Sequence, residues 1–264
     1  MIAYAAETSP ETGLDVYVRS PEGRRKRLTS GPLDEFSPAW SPDGRTIAYR
    51  INPERGDEGE IWTMSASGKR ERNLTRSPGV ADWSPAYSPD GAEIAYMSDA
   101  GGTNELWIMG ADGSGKRQLT EAGELSEYPS WSPDGRDLAF GAVRGGDFEI
   151  ARIGRDGQGP VNLTDNPARD QWPAWSPDGE LIAFMSDRDG NDDVFVMGAD
   201  GSQPHNLTNT PRWHEAHPSW TRDGRLSFLR FGESGPVTVR VVRADGSRPH
   251  DLAVDAAFVF DWTP

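Results

Sequence analysis

Apolar residues in this chain gather into short runs of period two, and four kinds of run return in a fixed order. The first is Ile47-Ala48-Tyr49, repeated as Ile94-Ala95-Tyr96, Leu138-Ala139-Phe140, Ile182-Ala183-Phe184 and Leu226-Ser227-Phe228. The second includes Ile61-Trp62-Thr63-Met64, Leu106-Trp107-Ile108-Met109 and Val194-Phe195-Val196-Met197. The third ends in Leu-Thr, as at Leu28-Thr29, Leu74-Thr75, Leu119-Thr120, Leu163-Thr164 and Leu207-Thr208. The fourth is Pro38-Ala39-Trp40 and its equivalents. β-Branched and aromatic residues in short alternating runs, punctuated by turn residues, predict strands.

The punctuation is as regular as the runs. Ser41-Pro42-Asp43-Gly44 returns at Ser88, Ser132 and Ser176, and in altered form as Thr221-Arg222-Asp223-Gly224; its aspartates are 47, 44, 44 and 45 residues apart. Ser at i, Pro at i+1 and Gly at i+3 suit a type I turn. Asp112-Gly113, Asp156-Gly157, Asp200-Gly201 and Asp245-Gly246 lie between the second and third runs, where Asp-Gly favours a tight hairpin. Each repeat is therefore an up-and-down, four-stranded antiparallel sheet that must stack on its neighbours to bury its apolar faces. The chain opens inside a repeat, at Ile2-Ala3-Tyr4, and closes with a fourth run, Phe260-Asp261-Trp262. The two halves complete a sixth unit, and 264 residues among six units is 44 each. The prediction is an all-β, single-domain, six-bladed β-propeller over residues 1–264, its N- and C-terminal strands sharing the closing blade. Closure of this kind protects strand edges.

The pattern Pro-x-Trp-Ser-Pro-Asp-Gly, then Ile-Ala-Tyr/Phe, an apolar strand, Asp-Gly and Leu-Thr resembles the TolB-like β-propeller family with its WD40-like Pro-Asp repeats. The resemblance covers essentially the whole chain and speaks to fold more than to function. It implies a partner-binding role, because relatives serve as the partner-binding half of the Tol–Pal envelope system, as propellers attached to peptidases, and as stand-alone modules.

Charge narrows the partners. With 27 basic and 42 acidic residues the formal charge is −15, which argues against nucleic acid, whose binding relies on neutralising phosphates. A cation or a basic protein partner is compatible with it. No cysteine is present, which excludes thiolate chemistry and disulfides. No run is long enough to insert in a membrane. The expectations are a monomer, cytoplasmic if Met1 is the native start and periplasmic or secreted otherwise. No Gly-x-Ser-x-Gly elbow, phosphate loop or dinucleotide fingerprint occurs. His214-Glu215-Ala216-His217 is one residue short of a zinc-protease motif and falls on a strand approach. The acidic stretch Asp187–Asp193 reads as a hairpin loop rather than a calcium loop, because its glycine is misplaced. The basic run Arg24–Arg27 reads as an outer strand guarded by charge.

One constellation carries candidate chemistry. Glu35, Asp82, Asp170 and Glu215 stand five residues before the aromatic of their fourth runs, with Glu127 beside the equivalent Ser126 and Asp255 near Ala257 in the closing copy. The fourth run is expected to be innermost, so these acids would collar the mouth of an axial channel and suit a hard cation, calcium above all, or a partner's Lys or Arg. No cofactor is required. Phe36, Trp83, Tyr128, Trp172 and Trp213, with His214 and His217, are expected at the same mouth as a recognition surface for a protein or peptide. The reading is a non-catalytic binding module with a possible calcium site. The alternative is a metal-assisted lyase or hydrolase acting on a carbohydrate, with His214 and His217 among its ligands.

Overall fold

A computed structural model describes residues 1–7, 13–52, 58–121, 125–232, 237–252 and 257–262, and all regular structure among them is β. The strands are β1 (Ile2–Glu7), β2 (Leu14–Arg19), β3 (Arg25–Arg27), β4 (Asp34–Trp40), β5 (Thr46–Asn52), β6 (Glu60–Ser65), β7 (Arg72–Asn73), β8 (Asp82–Tyr87), β9 (Glu93–Ser98), β10 (Glu105–Gly110), β11 (Arg117–Gln118) and β12 (Ser126–Trp131). They continue with β13 (Asp137–Arg144), β14 (Asp147–Gly154), β15 (Val161–Asn162), β16 (Asp170–Trp175), β17 (Leu181–Ser186), β18 (Asp193–Gly198), β19 (His205–Asn206), β20 (His214–Trp220), β21 (Arg225–Phe231), β22 (Thr238–Arg243), β23 (His250–Leu252) and β24 (Ala257–Trp262). They pair into six four-stranded antiparallel sheets, the blades of a six-bladed β-propeller. The first blade runs β24-β1-β2-β3, with Ile2 opposite Trp262 and Tyr4 opposite Phe260, so the two chain ends share a sheet as expected. The blades fall into two compact units of three, β24 with β1–β11 and β12–β23.

Within each unit both faces of a blade are covered. In the first, Ile47 and Tyr49 pack on Ala3, Val16 and Val18 of the preceding blade, while Ala48, on the opposite face, meets Ile94 and Tyr96 of the next. In the second, Ala139 meets Ile182 and Phe184, and Ala183 meets Leu226 and Phe228. The Ile-Ala-Tyr/Phe run is thus large on one face and small on the other, which lets neighbouring sheets interdigitate. Trp40, Tyr87, Trp175 and Trp220 join these inter-blade clusters.

The turns follow from their residues. Gly44 N–H donates to Ser41 O (2.9 Å), and the Ser41 hydroxyl reaches Asp43 Oδ1 (2.7 Å) and accepts Thr46 N–H (2.9 Å). Thr221 bonds Asp223 in the same way (2.6 Å), so the altered copy keeps the turn without its proline. The Asp-Gly hairpins differ from a two-residue loop. Of the Asp-Gly pair only the glycine is left-handed, Gly113 at φ 84°, and Gly110 N–H bonds Ser114 O (2.8 Å), which is a type I turn closed by a glycine bulge. A Cβ on Gly113 would lie 2.8 Å from Leu74 O in the preceding blade, so glycine is required there. The third strand stops one residue before Leu-Thr. The threonine hydroxyl then takes the next backbone donor: Val16 on Thr29 (2.9 Å), Ile61 on Thr75 (3.0 Å), Ile150 on Thr164 (2.8 Å).

Candidate functional site

Five blades begin with a strand that contains proline: β4, β8, β12, β16 and β20. Proline has no N–H to give to a ladder, so a strand keeps it only at an edge or a bulge. Here the register slips at each one, between Phe36 and Ala39, Trp83 and Ala86, Glu127 and Ser130, Gln171 and Ala174, and Ala216 and Ser219. The residue just before the proline is left-handed in every case: Ser37 (φ 48°), Ser84 (49°), Tyr128 (54°), Trp172 (55°) and His217 (51°). Serine at this position is mildly unfavourable; a bulky aromatic is a genuine outlier. Such strain persists where the surroundings impose it, and it gathers at functional positions.

In the second unit β12, β16 and β20 run side by side, and their three left-handed residues touch. The His217 and Trp172 rings stack at 4.1 Å and 28°. Tyr128 meets Trp172 edge-on at 5.6 Å and His217 at 6.1 Å. All three are half-buried. Desolvation pushes the His217 imidazole down to about 4, so it stacks as a neutral ring at pH 7. Burial raises the Tyr128 phenol. The Trp172 Nε1–H lies beside that phenol, buried and without a hydrogen bond of good geometry.

The other residues of the expected recognition surface lie elsewhere in their blades. Phe36 and Trp83 precede the left-handed serines by one position. Arg50 covers Trp83 (5.0 Å) and Arg230 covers Trp213 (4.3 Å). His214 stacks on Phe231 (5.6 Å) and its Nδ1 faces Asp192 Oδ2 at 3.2 Å. The two histidines therefore do not converge as a metal-binding pair. Among the described residues no group of three or more acidic or histidine side chains is placed to hold a metal.

The candidate carboxylates are mostly inside their blades. In the first unit Glu35 is 6% exposed, and the Thr29 hydroxyl lies between its Oε2 (3.2 Å) and Asp15 Oδ1 (3.4 Å). Burial, then Asp15, pushes Glu35 up to about 7. Asp82 is 1% exposed and raised by burial, against the pull of Ser98 and Thr75. In the second unit Asp170 takes Arg188 Nη2 on both oxygens (3.1 and 2.8 Å) and Asn166 Nδ2 on one (2.8 Å). Glu215 accepts from Thr210 (2.6 Å) and pairs with Arg230 (3.4 Å); burial, and then Asp193, raises it to about 7. Glu127 alone is half-buried; Gln171 Nε2 is 3.4 Å away, and burial raises it. Asp255 lies outside the described residues.

A second recurring acid went unread in the sequence. Asp15, Glu105, Glu149 and Asp193, near the starts of β2, β10, β14 and β18, are buried, and the equivalent Glu60 on β6 is half-buried. Thr164 donates to Glu149 (2.5 Å) and Thr208 to Asp193 (3.0 Å). The signal was available: each acid stands 14 or 15 residues before the threonine of Leu-Thr. These acid–hydroxyl pairs lie within a blade, and Asn166 links one blade to the next, its N–H on Glu149 (2.8 Å) and its Nδ2 on Asp170 (2.8 Å). The acidic loop is likewise engaged, Asp187 accepting Arg169 N–H (2.8 Å) and Asp192 pairing with Arg169 (2.7 Å). The basic run is the outer strand expected of it, with Arg25 stacked on Tyr17 (3.9 Å) and Arg27 paired to buried Asp15 (2.7 Å).

Six blades closed by the chain ends, five of them opening on a proline bulge, define a Pro-Asp-repeat β-propeller. The model of the TolB beta propeller domain matches residues 2–152 and 125–254, and the chain belongs to that family. Similar solved structures include TolB from Acinetobacter baumannii, 22% identical with a TM-score of 0.85 over 100% of this chain and 66% of that one. A putative TolB from Agrobacterium tumefaciens is 22% identical with a TM-score of 0.75, over 86% of this chain and 83% of that one. Among curated proteins, an uncharacterized peptidase of Bacillus subtilis, YuxL, is 42% identical over 50 residues, which is 19% of this chain and 8% of the peptidase. The chain thus spans a small part of that curated relative and about two thirds of the Acinetobacter protein.

Proposed function

We propose that this propeller is a non-catalytic binding module that docks a protein or peptide on the Tyr128–Trp172–His217 cluster. The observation that carries the reading is the backbone strain: three bulky rings occupy left-handed positions, in mutual contact and half-exposed, where the first unit has Ser37 and Ser84. Trp and Tyr are the residues that anchor interfaces, because they bury large area with few torsions to freeze. The neutral imidazole adds a flat apolar face at physiological pH. Calcium is not part of this reading, since Asp170 and Glu215 already face Arg188 and Arg230. The carbohydrate lyase or hydrolase alternative asks for clustered metal ligands, and His214 and His217 diverge onto different rings.

The test is comparative capture. Wild-type protein and a Tyr128→Ser/Trp172→Ser/His217→Ser variant, carrying the residue that two blades of the first unit use, are cross-linked in the source cell and their adducts identified. The expected result is a discrete partner held by the wild type and lost from the variant. Identical adduct sets would refute the docking site.

A further inference from the structure

The repeats offer an internal control: a position that most blades fill one way shows what the fold needs, and a departure shows what one blade adds. The blade β20–β23 departs in charge. Residues 211–252 carry seven arginines against five acids, whereas residues 166–210, the preceding blade, carry two arginines against eight acids. In a chain of net −15 this is a local reversal of sign.

The added charges collect at one end of the blade. Arg243 N–H bonds Ser247 O (2.9 Å), the same bond that Gly110, Gly154 and Gly198 make to Ser114, Gln158 and Ser202, so arginine stands where three blades have glycine. Arg248 is left-handed (φ 54°), at the place of Gly115, Gly159 and Gln203; the blade β4–β7 also has a left-handed arginine there, Arg70, with Ser65 in place of Arg243. Arg222 replaces the turn proline of the other copies. Arg225, Arg243, Arg248 and His250, with Asp223 and Asp245, line an open groove of about 700 Å³. Arg225 is paired to Asp223 (2.7 Å), but the Arg243 and Arg248 guanidinium groups form no ion pair among the described residues. Their side chains are exposed, and left-handed arginine is tolerated there without any packing to repay it.

From this we infer that the groove binds an acidic peptide segment of a protein partner, with Arg243 and Arg248 each gripping a carboxylate through two parallel N–H groups. Charge complementarity selects this occupant. The groove also holds Asp223 and Asp245, which would repel a compact multivalent phosphate but can sit between carboxylates spaced along a peptide. This surface is separate from the aromatic cluster and does not depend on it.

The test uses the full chain and a fluorescein-labelled octaglutamate, read by fluorescence anisotropy at low and high salt. Arg243→Gly/Arg248→Gly installs residues that two other blades carry, and its fold is checked by its melting curve. Arg45→Ala/Arg136→Ala removes the same net charge from two other blades, at the copies of the Arg225 position, where the arginines pair with Asp43 and Asp134. Octaglutamate is expected to bind the wild type, with affinity falling at high salt, about tenfold more weakly to the glycine variant, and unchanged to the alanine variant. No binding at low salt, equal weakening in both variants, or binding of pyrophosphate in preference to octaglutamate would overturn the assignment.

Discussion

The two units use one blueprint with different side chains. At the proline bulge the first unit has Ser37 and Ser84 and the second has Tyr128, Trp172 and His217. At the buried end of the Ile-Ala-Tyr/Phe run the first has Tyr4, Tyr49 and Tyr96, the second Phe140, Phe184 and Phe228, all at most 2% exposed. The bulge therefore belongs to the fold, because serine forms it as well as tryptophan does. What the second unit adds is a ring cluster at positions where the backbone already turns the side chain aside. The core aromatics teach the opposite lesson: both residue types fill the same space, so shape is required there and the hydroxyl is not.

The largest effect should come from breaking the element the units share. Phe184 is fully buried, against Ile182 and Phe195 and the preceding blade's Ala139 and Ile150. Phe184→Ala removes that ring from a packed inter-blade cluster and is expected to cost about 3–5 kcal/mol, read by urea denaturation. A loss under about 1 kcal/mol would mean the blades can close over the cavity, and the shared core would not be what holds neighbouring sheets together.

A second comparison is electrostatic, and here the units match before they diverge. Glu35 faces Thr29, Asp15, Glu71 and Asp34; Glu215 faces Thr210, Asp193 and Arg230; both are raised from 4.5 to about 7. Between those values the two carboxyls hold more protons in the folded chain than in the unfolded one, so their contribution to stability is fullest below pH 4.5 and falls as pH rises toward 7. Glu35→Gln and Glu215→Gln should each flatten that fall, by on the order of 2–3 kcal/mol across the window. His217, in the second unit, has the opposite sign: lowered from 6.5 to about 4, it loses stability as pH falls through that range and offsets part of the Glu215 contribution. Urea midpoints at pH 5, 6, 7 and 8 for the wild type and both variants check it. Variants whose midpoints fall with pH as steeply as the wild type's would show that the carboxyls ionise freely.

How much of this was legible depends on whether the cause was local. Ser41-Pro42-Asp43-Gly44 announces its turn because every bond in it is made within six residues, and the blade count follows from repetition alone. The Pro within β4, β8, β12, β16 and β20 requires an edge or a bulge, but no local chemistry says that Tyr128 and Trp172 accept a left-handed backbone; the neighbouring strands impose it. Acids at strand entries look solvated in a sequence. Glu35 is buried because Thr29 and Asp15, from the preceding blade, close over it, and that contact is invisible until the blades stack. The arginines of the last blade were visible one at a time as surface charges, and only the superposed repeats show that they replace glycine and proline.

The smallest effect is the most discriminating about the units themselves. The Tyr49 hydroxyl is buried near Glu71 without completing a hydrogen bond of good geometry, and burial raises its pKa above the ordinary phenol range. A buried hydroxyl left unsatisfied costs more than it contributes, whereas the same ring without it keeps every apolar contact. Tyr49→Phe, which installs the second unit's residue in the first, is expected to leave stability unchanged or raise it by up to about 1 kcal/mol. The reverse exchange, Phe184→Tyr, carries a hydroxyl into a site lined by Ala139, Ile150 and Met197 and should cost about 1–3 kcal/mol. Paired urea titrations give both numbers under one condition. If Tyr49→Phe were the destabilising member, the tyrosines of the first unit would be holding its blades through their hydroxyls, and the equivalence of the two cores would fail at the one position where their sequences differ most consistently.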